Sequence, residues 1–153
     1  MSIEIRAATS ADADAVASLN ADVQAIHAAA VPWLFKDQAL GAAQVERLLE
    51  KPDNFVLLAC AGSESVGYVF AELRRFPETP LTHAYQALHV HHISVLEAFR
   101  KAGVGRALMD ALRNTGEDIG VARITADVWS FNDGARRFFA SCGLSPYIER
   151  LWS

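Results

Sequence analysis

The stretch Ile93-Ser94-Val95-Leu96-Glu97-Ala98-Phe99-Arg100-Lys101-Ala102-Gly103-Val104-Gly105-Arg106-Ala107-Leu108 limits this chain more than any other. A long strand from Tyr85 to Val95 runs into a loop holding Arg100 and Lys101. Gly103 and Gly105 then open an amphipathic helix that extends to about Asn114. The first turn of a helix leaves backbone N–H groups without intrahelical partners. The helix dipole adds partial positive charge at the same point, and the two together make an anion site. Glycine lets a phosphate come close to the backbone because no Cβ intervenes. Arg100, Lys101 and Arg106 add cationic charge. The turn therefore reads as a cradle for a diphosphate.

Two well-known cradles do not fit. A Rossmann turn needs G-x-G-x-x-G, but Gly103-Val104-Gly105 is followed by Arg106-Ala107-Leu108. That motif also usually follows the first strand of its unit, and this one follows the fourth strand of the chain. The P-loop pattern GxxxxGK[ST] is absent.

The remaining elements read as an alternation of strands and helices. Ile3, Ile5 and Ala7 mark a first strand. Thr9 and Asp12 form a capping-box pattern ahead of a helix carrying Val16, Leu19, Val23 and Ile26. A second helix is predicted over residues 38–50, stopped by Pro52. Phe55 to Cys60 and Val66 to Leu73 form a hairpin. After the glycine-bearing helix come a strand from Val121 to Trp129, a helix from Asp133 to Ser141 closed by Gly143, and a last strand from Leu144 to Trp152. Pro146 would bend that last strand or place it at an edge. The predicted fold is one α/β domain over residues 1–153. Its mixed, mostly antiparallel sheet has about six or seven strands, a parallel β-α-β crossover and helices on both faces.

Composition removes whole classes of function. The 153 residues suffice for one domain with a core, and 52% apolar against 21% charged residues argues against disorder. A net charge of -4 lacks the basic footprint of a nucleic-acid binder. No apolar run reaches the roughly 18 residues of a membrane span. The first sixteen residues are acidic and without an apolar core, so no signal peptide is expected. Cys60 and Cys142 lack disulfide or metal-ligand spacing and read as core residues, so no metal is expected. The expectation is a reduced, cytoplasmic protein.

The residues Arg100-Lys101-Ala102-Gly103-Val104-Gly105 after Ile93-Ser94-Val95 match [R/Q]-x-x-G-x-[G/A] following an Ile-x-Val strand end. Asn132-Asp133-Gly134-Ala135-Arg136-Arg137-Phe138-Phe139, with Gly143-Leu144 beyond, matches a second pattern, N-x-x-A-x-x-(aromatic)-Tyr-x-x-x-G-Phe. In this order the two resemble the acetyl-CoA signature of the GNAT superfamily of acyltransferases, whose element order is also the one read above. The resemblance implies acetyl-CoA as co-substrate and an amine as acceptor. It implies that the backbone of Ile93 and Val95, flanking Ser94, pairs with the pantetheine arm, and that the Val95 amide polarises the thioester carbonyl. It implies that the amides of Lys101, Ala102, Gly103, Val104, Gly105 and Arg106 hold the pyrophosphate. Asn132 would bond the pantetheine arm, cap its own helix, or do both. A homodimer is also common in the superfamily.

Direct transfer in a ternary complex needs a neutral amine and therefore a base or a water chain. Asp127 and His89 occupy places near those where some members carry a glutamate base, and Glu72 on the preceding strand is a third candidate. Each reads equally as an ordinary strand residue. Strand alternation puts His89 and His91 on one face and His92 on the other. Phe139 stands where many members carry a tyrosine acid, so that acid is missing, and Tyr85 and Tyr147 are possible substitutes. This keeps open a catalytically silent acyl-CoA-binding sensor or partner domain. Trp33 and Phe35, beside Pro32, sit where the superfamily builds its acceptor lid. They read either as that lid, favouring an acceptor with an apolar or aromatic part, or as packing between two helices.

Overall fold

The computed structural model describes residues 2–153. Nine main elements follow in order. They are β1 (Ile3–Ala7), α1 (Ala13–Ala30), α2 (Ala42–Glu50), β2 (Asn54–Ala61), β3 (Glu64–Phe76), β4 (Tyr85–Val95), α3 (Val104–Asp118), β5 (Ile124–Ala126) and α4 (Asp133–Ser141). The strands form one sheet in the order β1-β2-β3-β4-β5. The first three pairings are antiparallel and β4–β5 is parallel, with α3 as the crossover.

The period of two along each strand builds two cores. Leu57, Val69, Ala71, Leu88 and Val90 face α3, which adds Val104, Leu108, Met109 and Leu112, and α4, which adds Phe139. Val56, Leu58, Tyr68 and Phe70 face α1 and α2, which add Val16, Leu19 and Val45. One polar link is buried on this second side. Asn20 of α1 donates to the Tyr68 hydroxyl at 3.1 Å and accepts from the Leu40 amide at 3.0 Å. Burial pushes the Tyr68 phenol up to about 12. Asn20 thereby ties α1 to the sheet and to the 31–41 connection that overhangs it.

β4 carries one extra residue. Phe70 pairs with His92 and Ala71 with Val90, so His91 is bulged out of the ladder. The bulge resets the alternation. His89 lies opposite Glu72 and His92 opposite Phe70, so both share the α1/α2 face. His91 stacks on Phe70 at 4.9 Å and joins them. The expectation that His92 points the other way is wrong for this reason.

Four further expectations change, the first being the second helix, which starts at Ala42 after the Gly41 cap rather than at 38. The sheet has five strands rather than six or seven. The stretch 144–152 forms no strand, because β5 at the sheet edge is only three residues long and offers it no ladder, and Pro146 cannot donate. The strand read over residues 121–129 contracts to Ile124–Ala126.

Gly116 sets the turn from α3 to β5. The Val121 amide donates to the Gly116 carbonyl at 2.7 Å, and a Cβ on Gly116 would collide with the Val121 carbonyl oxygen. Gly116→Ala is expected to lower stability by about 1–3 kcal/mol in urea denaturation. Gly134→Ala, in α4 with only the Asn132 side chain near, at 3.8 Å, should be neutral or stabilising. Equal effects at the two sites would contradict the close approach at Gly116.

Candidate active site

β5 pairs with β4 only at Leu88, His89 and Val90, and beyond Val90 the β4 edge is open. Leu96 donates its amide to Val66 on β3 at 2.8 Å. Backbone groups alternate sides along a strand, so Val95 and Ile93 turn their N–H and C=O to the open edge. Ser94 turns its own toward β3, and its side chain is buried opposite Tyr68. The open edge thus offers Ile93 and Val95 to an added extended ligand, but not Ser94. The Val95 carbonyl already accepts from Arg100 Nε at 3.0 Å.

The loop beyond turns sharply at two left-handed residues, Lys101 (φ 62°) and Gly103 (φ 85°). The Ala107 amide, bonded to Gly103 at 3.0 Å, is the first in the helix with a partner. Among the described residues the amides of Lys101, Ala102, Gly103, Val104, Gly105 and Arg106 have no acceptor. The two glycines serve different ends. No atom lies within 4 Å of a Cβ built on Gly103, so the space before the helix is open there. A Cβ on Gly105 would lie 2.8 Å from the Phe138 ring, so Gly105 is small to let α4 pack on α3. The cations also differ from expectation. Arg100 is occupied with Val95, and Arg106 donates to the Ser141 carbonyl at 2.8 Å. The cradle is therefore mainly backbone amides and helix dipole, with Lys101 beside it.

Where β4 and β5 part, four titratable groups meet. His91 Nε2 is 2.9 Å from Glu72 Oε1. His89 Nε2 is 3.8 Å from Asp127 Oδ2, and its Nδ1 is 2.9 Å from the Thr125 hydroxyl. The His89 and His91 rings are 5.1 Å apart. All three candidate bases, Asp127, His89 and Glu72, are thus brought together, with His91 among them. The hydrogen bond from His91, helped by Arg74, holds the Glu72 carboxyl below its usual range. Burial, with Arg74 nearby, lowers His89 despite Asp127. Burial lowers His92 to about 4, and its Nδ1 has no partner among the described residues. His91 is not among the candidate bases read from the sequence because its partner Glu72 lies on β3, and only the β3–β4 register brings the two side chains together.

Asn132 caps α4, its Oδ1 accepting from the Ala135 amide at 3.0 Å. Phe139 is buried in the α3/α4 core. Tyr85 does not substitute for a missing acid, since it starts β4 ten residues before Val95 and stacks on Phe76 at 4.4 Å. Tyr147 is exposed in the irregular C-terminal stretch. Trp33 and Phe35 lie on the connection above the α1/α2 face. Phe35 packs on His27 at 5.0 Å and on Trp129 at 5.3 Å.

Residues 20–144 match the model of the acetyltransferase (GNAT) family. The chain belongs to this family. The GNAT fold is evident in solved structures too. The BH1408 protein of Bacillus halodurans, as a tetramutant, shares 25% identity and superposes with a TM-score of 0.92 over 98% of both chains. AAC(6')-Iy in complex with the bisubstrate analogue CoA-S-monomethyl-acetylneamine shares 18% identity and a TM-score of 0.77, over 100% of this chain and 97% of that one. The aminoglycoside 6'-N-acetyltransferase AAC(6')-Ih of Acinetobacter baumannii shares 12% and a TM-score of 0.76, over 99% and 97%. No curated protein matches the sequence.

Two measurements check this geometry. His92 is held below its unfolded value of 6.5, so the unfolded chain binds more protons between about pH 4 and 6.5. Its contribution is full above pH 6.5 and is lost as pH falls through this window. Replacing it by a non-titrating residue, His92→Phe, should flatten the acid loss of stability by on the order of 2 kcal/mol in urea titrations at pH 7 and 4.5. An unchanged slope would contradict the burial of a neutral imidazole. Gly105→Ala should destabilise by about 1–3 kcal/mol, and Phe138→Leu in the same chain should recover part of that loss. Strict additivity in this double-mutant cycle would contradict the contact.

Proposed function

We propose that the chain is an acetyl-CoA-dependent N-acetyltransferase that moves an acetyl group directly to a primary amine. The observation that carries this reading is the row of unpartnered amides from Lys101 to Arg106, beside an open β4 edge that leads into the His91–Glu72 cluster. The amides would hold the pyrophosphate. Ile93 and Val95 would pair with the pantetheine arm, and the free Nδ2 of Asn132 could add a contact. This directs the thioester toward the point where β4 and β5 separate, and the Val95 amide faces that groove to stabilise charge on the carbonyl oxygen.

His91 is the base in this reading. It is the more exposed of the paired imidazoles, and Glu72 orients it as a carboxylate orients a catalytic histidine. His91 takes a proton from the ammonium. The neutral nitrogen then bonds to the thioester carbon, the C–S bond breaks with its electron pair on sulfur, and the nitrogen's second proton passes to the departing thiolate or to water. A thiol of pKa near ~8.5 leaves without a dedicated acid, which accommodates Phe139. His89, tied to Thr125 and buried, and Asp127, largely in water, would set the field around His91.

Phe139 also favours a second reading, a catalytically silent acyl-CoA-binding domain. It would show acetyl-CoA binding without CoA release in any amine screen.

Ligand at about 100 times its dissociation constant adds ~2.7 kcal/mol, so acetyl-CoA should raise the melting temperature by several degrees, and NAD should not. Gly103→Glu should abolish that shift; Gly103→Ala, which carries the same left-handed backbone strain without bulk or charge, should keep most of it and so separates the cradle from the cost in stability. With an accepted amine, His91→Ala should lower kcat by about 10²–10⁴ and remove the ascending limb of the pH–rate profile, with KM for acetyl-CoA unchanged. Survival of that limb in His91→Ala, and its loss in Asp127→Asn or His89→Ala, would move the base to Asp127 or His89.

A further inference from the structure

All three tryptophans of the chain meet in one patch. Trp33 from the 31–41 connection lies 5.2 Å from Trp152 of the C-terminal stretch. Trp152 lies 5.6 Å from Trp129, which follows β5, and Trp129 meets Phe35 edge-on at 5.3 Å. The patch is open, with Trp33 73% and Trp152 64% exposed. Two exposed indoles and a half-buried third, from three separate segments, form a contiguous aromatic surface of the kind that marks a binding site.

The charge beside the patch says what it receives. Trp129 is two residues beyond Asp127, whose side chain is 82% exposed and reaches toward His89. Glu72 on β3 lies directly opposite His89 on β4. A wall of aromatic faces next to carboxylates suits a cation with a flat apolar body: the ring packs on indole, and the ammonium points to the carboxylates. A polyhydroxylated amine has no flat apolar face to lay on these indoles.

We propose that the acceptor is a primary amine carried on an aromatic group, an arylalkylamine, with its ring on Trp33, Trp152 and Trp129 and its nitrogen toward Asp127 and the His91–Glu72 pair. This rests on the transferase reading above, but binding can be measured apart from transfer. Because every tryptophan lies in the patch, tryptophan emission, excited where tyrosine does not absorb, reports on it alone.

The test titrates the full chain, with CoA at saturation, with 2-phenylethylamine, 2-phenylethanol and glucosamine, and assays CoA release from acetyl-CoA with the two amines. Saturable tryptophan quenching by 2-phenylethylamine is expected at concentrations at least about tenfold below those needed for the other two. A similar preference in kcat/KM is expected over glucosamine. Trp33→Ala should raise KM for 2-phenylethylamine about tenfold and leave KM for acetyl-CoA unchanged. Quenching without acetylation would uphold the arylamine site and overturn the transferase reading. Acetylation of glucosamine with no quenching by 2-phenylethylamine would do the reverse. An unchanged KM in Trp33→Ala would overturn the proposal. So would tryptophan emission that shifts with protein concentration alongside dimerisation in sedimentation, because a second copy would then cover the patch.

Discussion

One extra residue in β4 organises this molecule. The bulge at His91 lies where β4 stops pairing with β5, between Val90 and the open edge at Ile93 and Val95. A bulge bends its strand and sharpens its twist. Here it accompanies two features that a catalyst needs side by side. The sheet opens as a groove, and three histidines turn to the face that α1 and α2 cover. Without the extra residue His92 would face the α3/α4 core, among Leu88, Val90 and Val69, and only His89 and His91 would share the Glu72 face.

The groove and the helix start act as a unit because α3 is fixed on both sides. Its apolar stripe of Val104, Leu108, Met109 and Leu112 is fully packed against the sheet. Phe138 of α4 sits against Gly105 and Phe139 lies in the same core. The N-terminus of α3 is thus held at the mouth of the groove, its free amides already aimed. An anion site made of fixed dipoles needs no net positive charge on the protein, which accounts for a diphosphate cradle in a chain of net charge -4. Arg100 and Arg106, the obvious candidates from sequence, instead close the loop and fasten the two helices.

What was legible in the sequence was local. The Gly103 turn, the hairpin of β2 and β3, the Thr9–Asp12 cap and the Asn132 cap depend on residues close in the chain, and their patterns survive in the structure. What was not legible depends on partners far away. A bulge is a mismatch between two strands, so His92 was assigned to the wrong face. The need for Gly105 comes from Phe138, thirty-three positions later. The stretch 144–152 has the apolar content of a strand but no long edge to join, and its Trp152 pairs with Trp33 instead. The three candidate bases were read from three separate strands, and only the register of β3, β4 and β5 shows that they converge.

The account stands on the claim that the amides from Lys101 to Arg106, with Ile93 and Val95, form the seat of acetyl-CoA. Amide-resolved NMR of the 16.6 kDa chain during titration with acetyl-CoA tests this most directly. The account predicts that the largest shifts fall on residues 101–106 and on Ile93 and Val95, with Ser94 moving less because its backbone is turned to β3. Shifts centred elsewhere, or none at saturating acetyl-CoA, would contradict it.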